Sequence, residues 1–346
     1  MSAPDNRLPL AVVFGCEGLA LSDAERDFFR ETNPLGLILF ARNCDTPDQI
    51  KSLVADFKSA VGRDTAPVLI DQEGGRVARL KPPHWREAPP AATFAKMAKH
   101  DPGVARIAAS LNARLLAHEL LDLGITVDCA PVLDVPQPES HGIIGDRAAG
   151  ETAEVATDLG AAACLGFLAG GVLPVIKHIP GHGRALVDSH ENCPVVDASL
   201  DVLADVDFPP FKALNAMPWA MTAHVVYTAI DPENPATISK VVIGSVIRGA
   251  IGFDGVLVSD DLNMKALGGT LSERARRALD AGCDVVLHCS GAFDEMVEVA
   301  AASRPLSAAS QQRVQRADAM RQSPDPIDFD GEVRRLETLI KSSIDA

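Results

Sequence analysis

Two stretches of the 346-residue chain carry side chains spaced for acid–base work. The first is Lys177-His178-Ile179-Pro180-Gly181-His182-Gly183, which runs on to Asp188-Ser189-His190. A carboxylate beside an imidazole fixes the ring tautomer and stabilises the imidazolium, so Asp188 would tune His190 to give and then take a proton near neutrality. Pro180, Gly181 and Gly183 make this stretch a loop, and loops of about twenty residues are more often functional than decorative. The second stretch is Ser259-Asp260-Asp261-Leu262-Asn263-Met264, in which an apolar run ends in two acids. Side chains alternate across a strand, so only one acid is expected to point inward. Asp260 takes that place, and Asp261 is expected to cap the next helix.

A third cluster is Asp71-Gln72-Glu73-Gly74-Gly75-Arg76-Val77-Ala78-Arg79. Carboxylate acceptors and guanidinium donors together match a polyhydroxyl ligand. The same residues could instead brace the loop as Glu73–Arg76 or Asp71–Arg79 ion pairs, and the sequence leaves both readings open.

The elements that must position these groups are legible in the hydrophobic pattern. Short apolar runs bounded by Gly or Pro occur at Leu10–Phe14, Leu35–Phe40, Val68–Ile70, Ile125–Ala130, Val172–Ile176, Ala220–Ala223, Gly255–Val258 and Val285–Leu287. Ala-rich stretches with helical spacing lie between them, opened by Ser22 with Glu25, Thr46-Pro47, Asp101-Pro102, Glu151 and Ser272-Glu273. Eight such βα units predict an α/β protein, a single (β/α)8 barrel. A doubly wound sheet is the rival, but no Gly-x-Gly-x-x-Gly follows the first run. Residues 1–303 are read as the barrel and 304–346 as appended C-terminal helices on its outer wall, roughly Ser307–Arg321 and Phe329–Ser343. Barrel active sites form at the C-terminal ends of the strands. The polar residues there are Glu17, Asn43, Asp71 with Glu73, Asp134, Lys177 with His178, His224, Asp260 with Asp261, and Cys289. Such a ring wants a polar ligand.

Composition removes other classes of function. With 47 Asp and Glu against 32 Lys and Arg, the surface repels phosphate backbones and anionic headgroups, so neither nucleic acid nor membrane is expected as a partner. No apolar stretch approaches the roughly 20 residues of a membrane span, and the short run Leu8–Phe14 is a poor secretory signal. Seven scattered cysteines without a Cys-x-x-Cys pair fit free thiols in a reducing compartment, and a soluble, cytoplasmic protein, monomeric by preference, is expected. One Tyr and two Trp leave few aromatic rings for stacking against a ligand.

Asp71-Gln-Glu-Gly-Gly-Arg76, Lys177-His-x-Pro-Gly-His-Gly183, Asp188-Ser-His190 and Ser259-Asp-Asp-Leu-x-Met264 together resemble the NagZ-type β-N-acetylglucosaminidases of glycoside hydrolase family 3. The resemblance runs from about Leu10 to Cys289. It implies retaining removal of a terminal β-linked N-acetylglucosamine from muropeptides, anhydro forms included, during peptidoglycan recycling in the bacterial cytoplasm, with no metal and no cofactor. It implies that Asp260 is the nucleophile, that His190 is the general acid/base with Asp188 as its partner, and that Asp71, Arg79, Arg147, Lys177 and His178 bind sugar hydroxyls. The chain departs from the family pattern at Ile179, at Ala148-Ala149 and at Thr222. Two rival readings are a metal-dependent barrel hydrolase, with His178, His182, His190, His224 and Asp260 converging on zinc, and a family 3 enzyme preferring β-glucosides.

Overall fold

The computed structural model describes residues 7–140, 142–189 and 192–344. Eight parallel strands close into one barrel: β1 (Leu10–Phe14), β2 (Pro34–Leu39), β3 (Val68–Ile70), β4 (Val127–Asp128), β5 (Leu173–Ile179), β6 (Trp219–Thr222), β7 (Val256–Asp261) and β8 (Val285–His288). Consecutive strands pair around the ring and β8 closes on β1, with Val13 beside Leu287. All eight apolar runs read from the sequence supply these strands, because strands covered on both faces are written in Val, Leu and Ile. Between β2 and β3, for example, the register sets Leu37, Ile38 and Leu39 against Val68, Leu69 and Ile70, all six buried.

Helix starts follow the expected chemistry with two shifts, one of them the helix expected from Glu151, which Thr152 caps and Ala153 begins. Ser22 and Glu25 form a capping box, and Thr46 and Asp101 cap helices that begin Pro47 and Pro102. The helix after β7, Leu271–Ala281, is capped by Thr270 with Glu273 rather than at Ser272. A two-residue parallel ladder, Val195–Val196 with Val226–Tyr227, ties the connection after β5 to that after β6; no periodicity that short can be read in advance.

Three strand pairs depart from regular register, β1 with β2 between Leu10 and Val13 and two that bear on the site. Between β5 and β6, Lys177 faces Met221 and Ile179 faces Thr222. Between β7 and β8, Val258 faces Val285 and Asp261 faces Leu287. Each mismatch puts one extra residue on the site-bearing strand, a bulge that re-aims side chains. Beyond β8, helices Ala308–Ala319 and Phe329–Ile344 lie against the barrel. Asp284 anchors the first through Ser310 (2.7 Å) and Arg313 (3.0 Å), and Leu336 of the second is buried beside Phe94, Met97, Leu115 and Leu159.

Candidate active site

At the C-terminal mouth a cavity of about 240 Å³ opens, small beside the roughly 300–1,000 Å³ of drug-sized pockets. Asp71, Arg79, Arg147, Lys177, His178 and Asp260 all line it, so the structure brings six of the eight sequence-predicted site residues to one place. Asp188 lies half-buried on the loop above, next to Ser189, whose side chain lines the cavity. His190 lies outside the described residues.

Five side chains form an alternating chain of charge. Arg79 donates to Asp71 at 2.9 Å; Lys177 Nζ lies 2.9 Å from the other oxygen of Asp71 and 2.6 Å from Glu73; Arg147 closes on Glu73 with two bonds of 2.9 and 2.8 Å. Burial alone would strip Lys177 of its proton, but Asp71 and Glu73 outweigh it and hold the pKa above the ordinary lysine value. Burial likewise opposes ionisation of Asp71 and Glu73, and the flanking cations win, keeping both below the usual carboxylate range. Of the two bracing pairs open at the sequence level, Asp71–Arg79 exists. Glu73–Arg76 does not: Arg76 goes to Asp146 (2.9 Å) and to the carbonyl of Ile143. Glu73, expected at a strand end but not among the sugar-binding residues, joins the site through Lys177 and through Arg147, which lies 74 residues away in sequence.

Bulging explains how consecutive residues share the mouth. Lys177 and His178 both line the cavity, as do Asp260 and Asp261. The expectation that only one of the two acids faces inward is therefore corrected: the extra residue on β7 cancels the alternation. Nor does Asp261 cap a helix. Its carboxylate accepts the N–H groups of Asn263 and Cys289, both at 3.1 Å, tying the end of β7 to the end of β8. Burial pushes Asp261 up to about 6. Burial also works against Asp260, but the imidazoles of His224 and His178 and the Asp261 N–H (2.8 Å) outweigh it, so this carboxyl stays below its ordinary value and is ionised at neutral pH.

Several strand-end polar residues turn out to be braces. Glu17 is exposed and outside the cavity lining. Asn43 donates to the carbonyls of Cys16 (3.1 Å) and Gly18 (2.8 Å). His224 is enclosed, with Nε2 donating to the Asp261 carbonyl at 3.0 Å and Nδ1 2.7 Å from the Thr237 hydroxyl; burial lowers its pKa. Asp134 is fully buried: Oδ2 lies 2.7 Å from His178 Nδ1, while Oδ1 accepts the backbone N–H of His178 (3.1 Å) and of His182 (2.6 Å). With Nδ1 committed, His178 presents Nε2 to a ligand. Among the described residues no group of three or more His, Cys, Asp or Glu side chains is arranged to hold a metal ion, and no helix is long and apolar enough to cross a membrane.

Residues 10–319 match the family model described as the glycosyl hydrolase family 3 N terminal domain. The chain is 40% identical over 283 residues to a β-hexosaminidase of Alkalilimnicola ehrlichii, covering 81% of this chain and 80% of that protein. It superposes on the crystal structure of NagZ from Neisseria gonorrhoeae in complex with N-trifluoroacetyl-D-glucosamine with a TM-score of 0.86 at 30% identity, covering 96% of this chain and 98% of the other. A family 3 β-N-acetylglucosaminidase from Paenibacillus gives a TM-score of 0.78 at 32% identity, covering 97% of this chain, which spans 62% of that larger one. With the family model spanning nearly the whole barrel and the acids and cations gathered at its mouth, the chain belongs to glycosyl hydrolase family 3 and is a glycoside hydrolase.

Proposed function

We propose that this chain is a retaining exo-β-N-acetylglucosaminidase that removes terminal β-linked N-acetylglucosamine from muropeptides, anhydro forms included, in cytoplasmic peptidoglycan recycling. The observation that carries this reading is an ionised Asp260 opening on the same small cavity as Arg79, Asp71, Lys177 and Arg147 of the charged chain. The relatives named as β-hexosaminidase and β-N-acetylglucosaminidase support the choice of sugar.

In this mechanism Asp71, Arg79, Arg147, Lys177 and His178 hold the hydroxyls of one sugar. Asp260 attacks the anomeric carbon; the bond to the departing sugar breaks with its electron pair on oxygen, which takes a proton from His190. The resulting ester is opened by water that His190 deprotonates, and two inversions give retention. Asp188 stabilises the His190 imidazolium. A cavity of about 240 Å³ suits one terminal residue rather than an internal stretch of polymer.

The test is release of the aryl group from an aryl β-N-acetylglucosaminide beside the matching β-glucoside, with chelator present, in native protein and Asp260→Ala. Turnover of the acetamido sugar is expected, indifferent to chelator and reduced on the order of 10⁴-fold by the substitution. Preference for the glucoside, or loss on chelation, would overturn the reading.

A further inference from the structure

His182 takes no part in the reaction just described, yet it is enclosed at the edge of the cavity. Its backbone N–H is held by Asp134 Oδ1 at 2.6 Å, the same carboxylate whose other oxygen fixes the His178 ring. Its Nε2 lies 3.3 Å from the hydroxyl of Ser189, and its Nδ1 is buried with no hydrogen-bond partner among the described residues. Ser189 is itself buried and lines the cavity, between Asp188 and His190 in the sequence.

We propose that Asp134 and His182 form a clamp that positions the acid/base loop, with the Ser189 hydroxyl as its point of attachment. The proposal rests on the reading of His190 as acid/base. The base of the loop is fastened by other means: Tyr227 donates its hydroxyl to Gly181 (2.7 Å), Gln137 its N–H to Gly183 (3.1 Å), and Arg184 its Nε to Asp207 (2.7 Å). The stretch beyond is less tied, for Leu186 and Val187 are 59% and 36% exposed, and Ser189 is then gripped by His182 and by Ala266, whose N–H reaches its carbonyl at 3.3 Å. Burial lowers the His182 pKa to about 4, helped by the charge of His178, so the ring is neutral and carries one N–H. Withdrawing Ser189 would leave both buried ring nitrogens unpaired, which favours the docked loop. Through Asp134 the same clamp sets the His178 ring, so the sugar-binding histidine and the acid/base loop share one anchor.

Ser189→Ala in the full chain tests this, with Ser189→Thr as the conservative rescue. kcat/KM is measured on two aryl β-N-acetylglucosaminides, one releasing a dinitrophenolate that departs without a proton and one releasing a phenolate that needs one. A misplaced acid costs the phenyl substrate about tenfold or more and leaves the dinitrophenyl substrate within about twofold, with Ser189→Thr recovering the loss. In parallel, chymotrypsin nicking at the exposed Leu186 is timed without substrate, and it accelerates in Ser189→Ala and in His182→Phe. Equal losses on both substrates with unchanged nicking would overturn the clamp. Native protein inert on both glycosides would remove the N-acetylglucosaminidase reading, while the nicking rates still decide whether His182 and Ser189 hold the loop.

Discussion

Asp128 shows how far burial can move one carboxyl. It is fully enclosed one strand from Asp71, Oδ1 accepts the Gln72 N–H at 2.9 Å, and Oδ2 has no hydrogen-bond partner among the described residues. Burial pushes it up to about 8, against about 4 in an unfolded chain, so at neutral pH the folded protein keeps a proton that the unfolded chain releases. Folded-state pKa above unfolded means that stability is lost as pH rises from about 4 to about 8. Asp128→Asn imitates the neutral acid and lacks this term, so its stability relative to native protein is expected to climb across that window; urea midpoints at about pH 5 and pH 8 measure it. A gap that stays constant would mean Asp128 is ionised in the fold. Glu73→Gln acts in the opposite sense. It leaves Arg147 and Lys177 short of a buried counter-charge, and about 3 kcal/mol of destabilisation is expected in urea unfolding. Loss below about 1 kcal/mol would show that Asp71 alone suffices for Lys177.

The strand ends carry the next level of explanation, and here the sequence was only partly legible. Apolar runs located all eight strands, and reading the polar residue after each run put Asp71, Lys177, His178 and Asp260 among the mouth residues, because barrel geometry delivers every strand end to one rim. What alternation could not foretell was a bulge: one extra residue on β7 brings Asp261 in beside Asp260, and one on β5 does the same for Lys177 and His178. Nor does local pattern distinguish a strand-end acid that meets substrate from one, like Asp134, that turns inward to hold two histidines. The loop after β5 depends on one close approach of backbone to backbone. A Cβ at Gly183 would lie 2.1 Å from the Val135 carbonyl oxygen, so Gly183→Ala must lift the loop off the segment after β4. About a hundredfold loss of kcat/KM with an unchanged circular dichroism spectrum is expected, the usual cost of ångström-scale misplacement. Activity within twofold of native would mean that the loop's path is not what aims Asp188 and His190.

At the scale of the whole molecule the C-terminal helix packs behind the elements that carry one arm of the charged chain. Leu336 on Phe329–Ile344 is buried in a cluster with Phe94 and Met97, and its helix packs on both Ala91–Ala98 and Pro102–Asp122. Ala91–Ala98 in turn touches the short turn Gly145–Arg147, whose arginine completes the charged chain through Glu73. The buried alanines Ala148 and Ala149 follow directly, and Ala149 packs in the same cluster as Leu336. Leu336→Ala removes packing from that support and is expected to cost about 2–4 kcal/mol in urea unfolding. Because Arg147 is the proposed sugar contact while Asp260 stands on β7, the kinetic effect should fall on KM, raised about twofold to tenfold, with kcat near native. Stability lost with KM unmoved would mean that the extension props the barrel wall without reaching the site. A fall in kcat alone would instead trace the coupling through β7 and β8, where Asp284 ties Arg248 and Arg313 together.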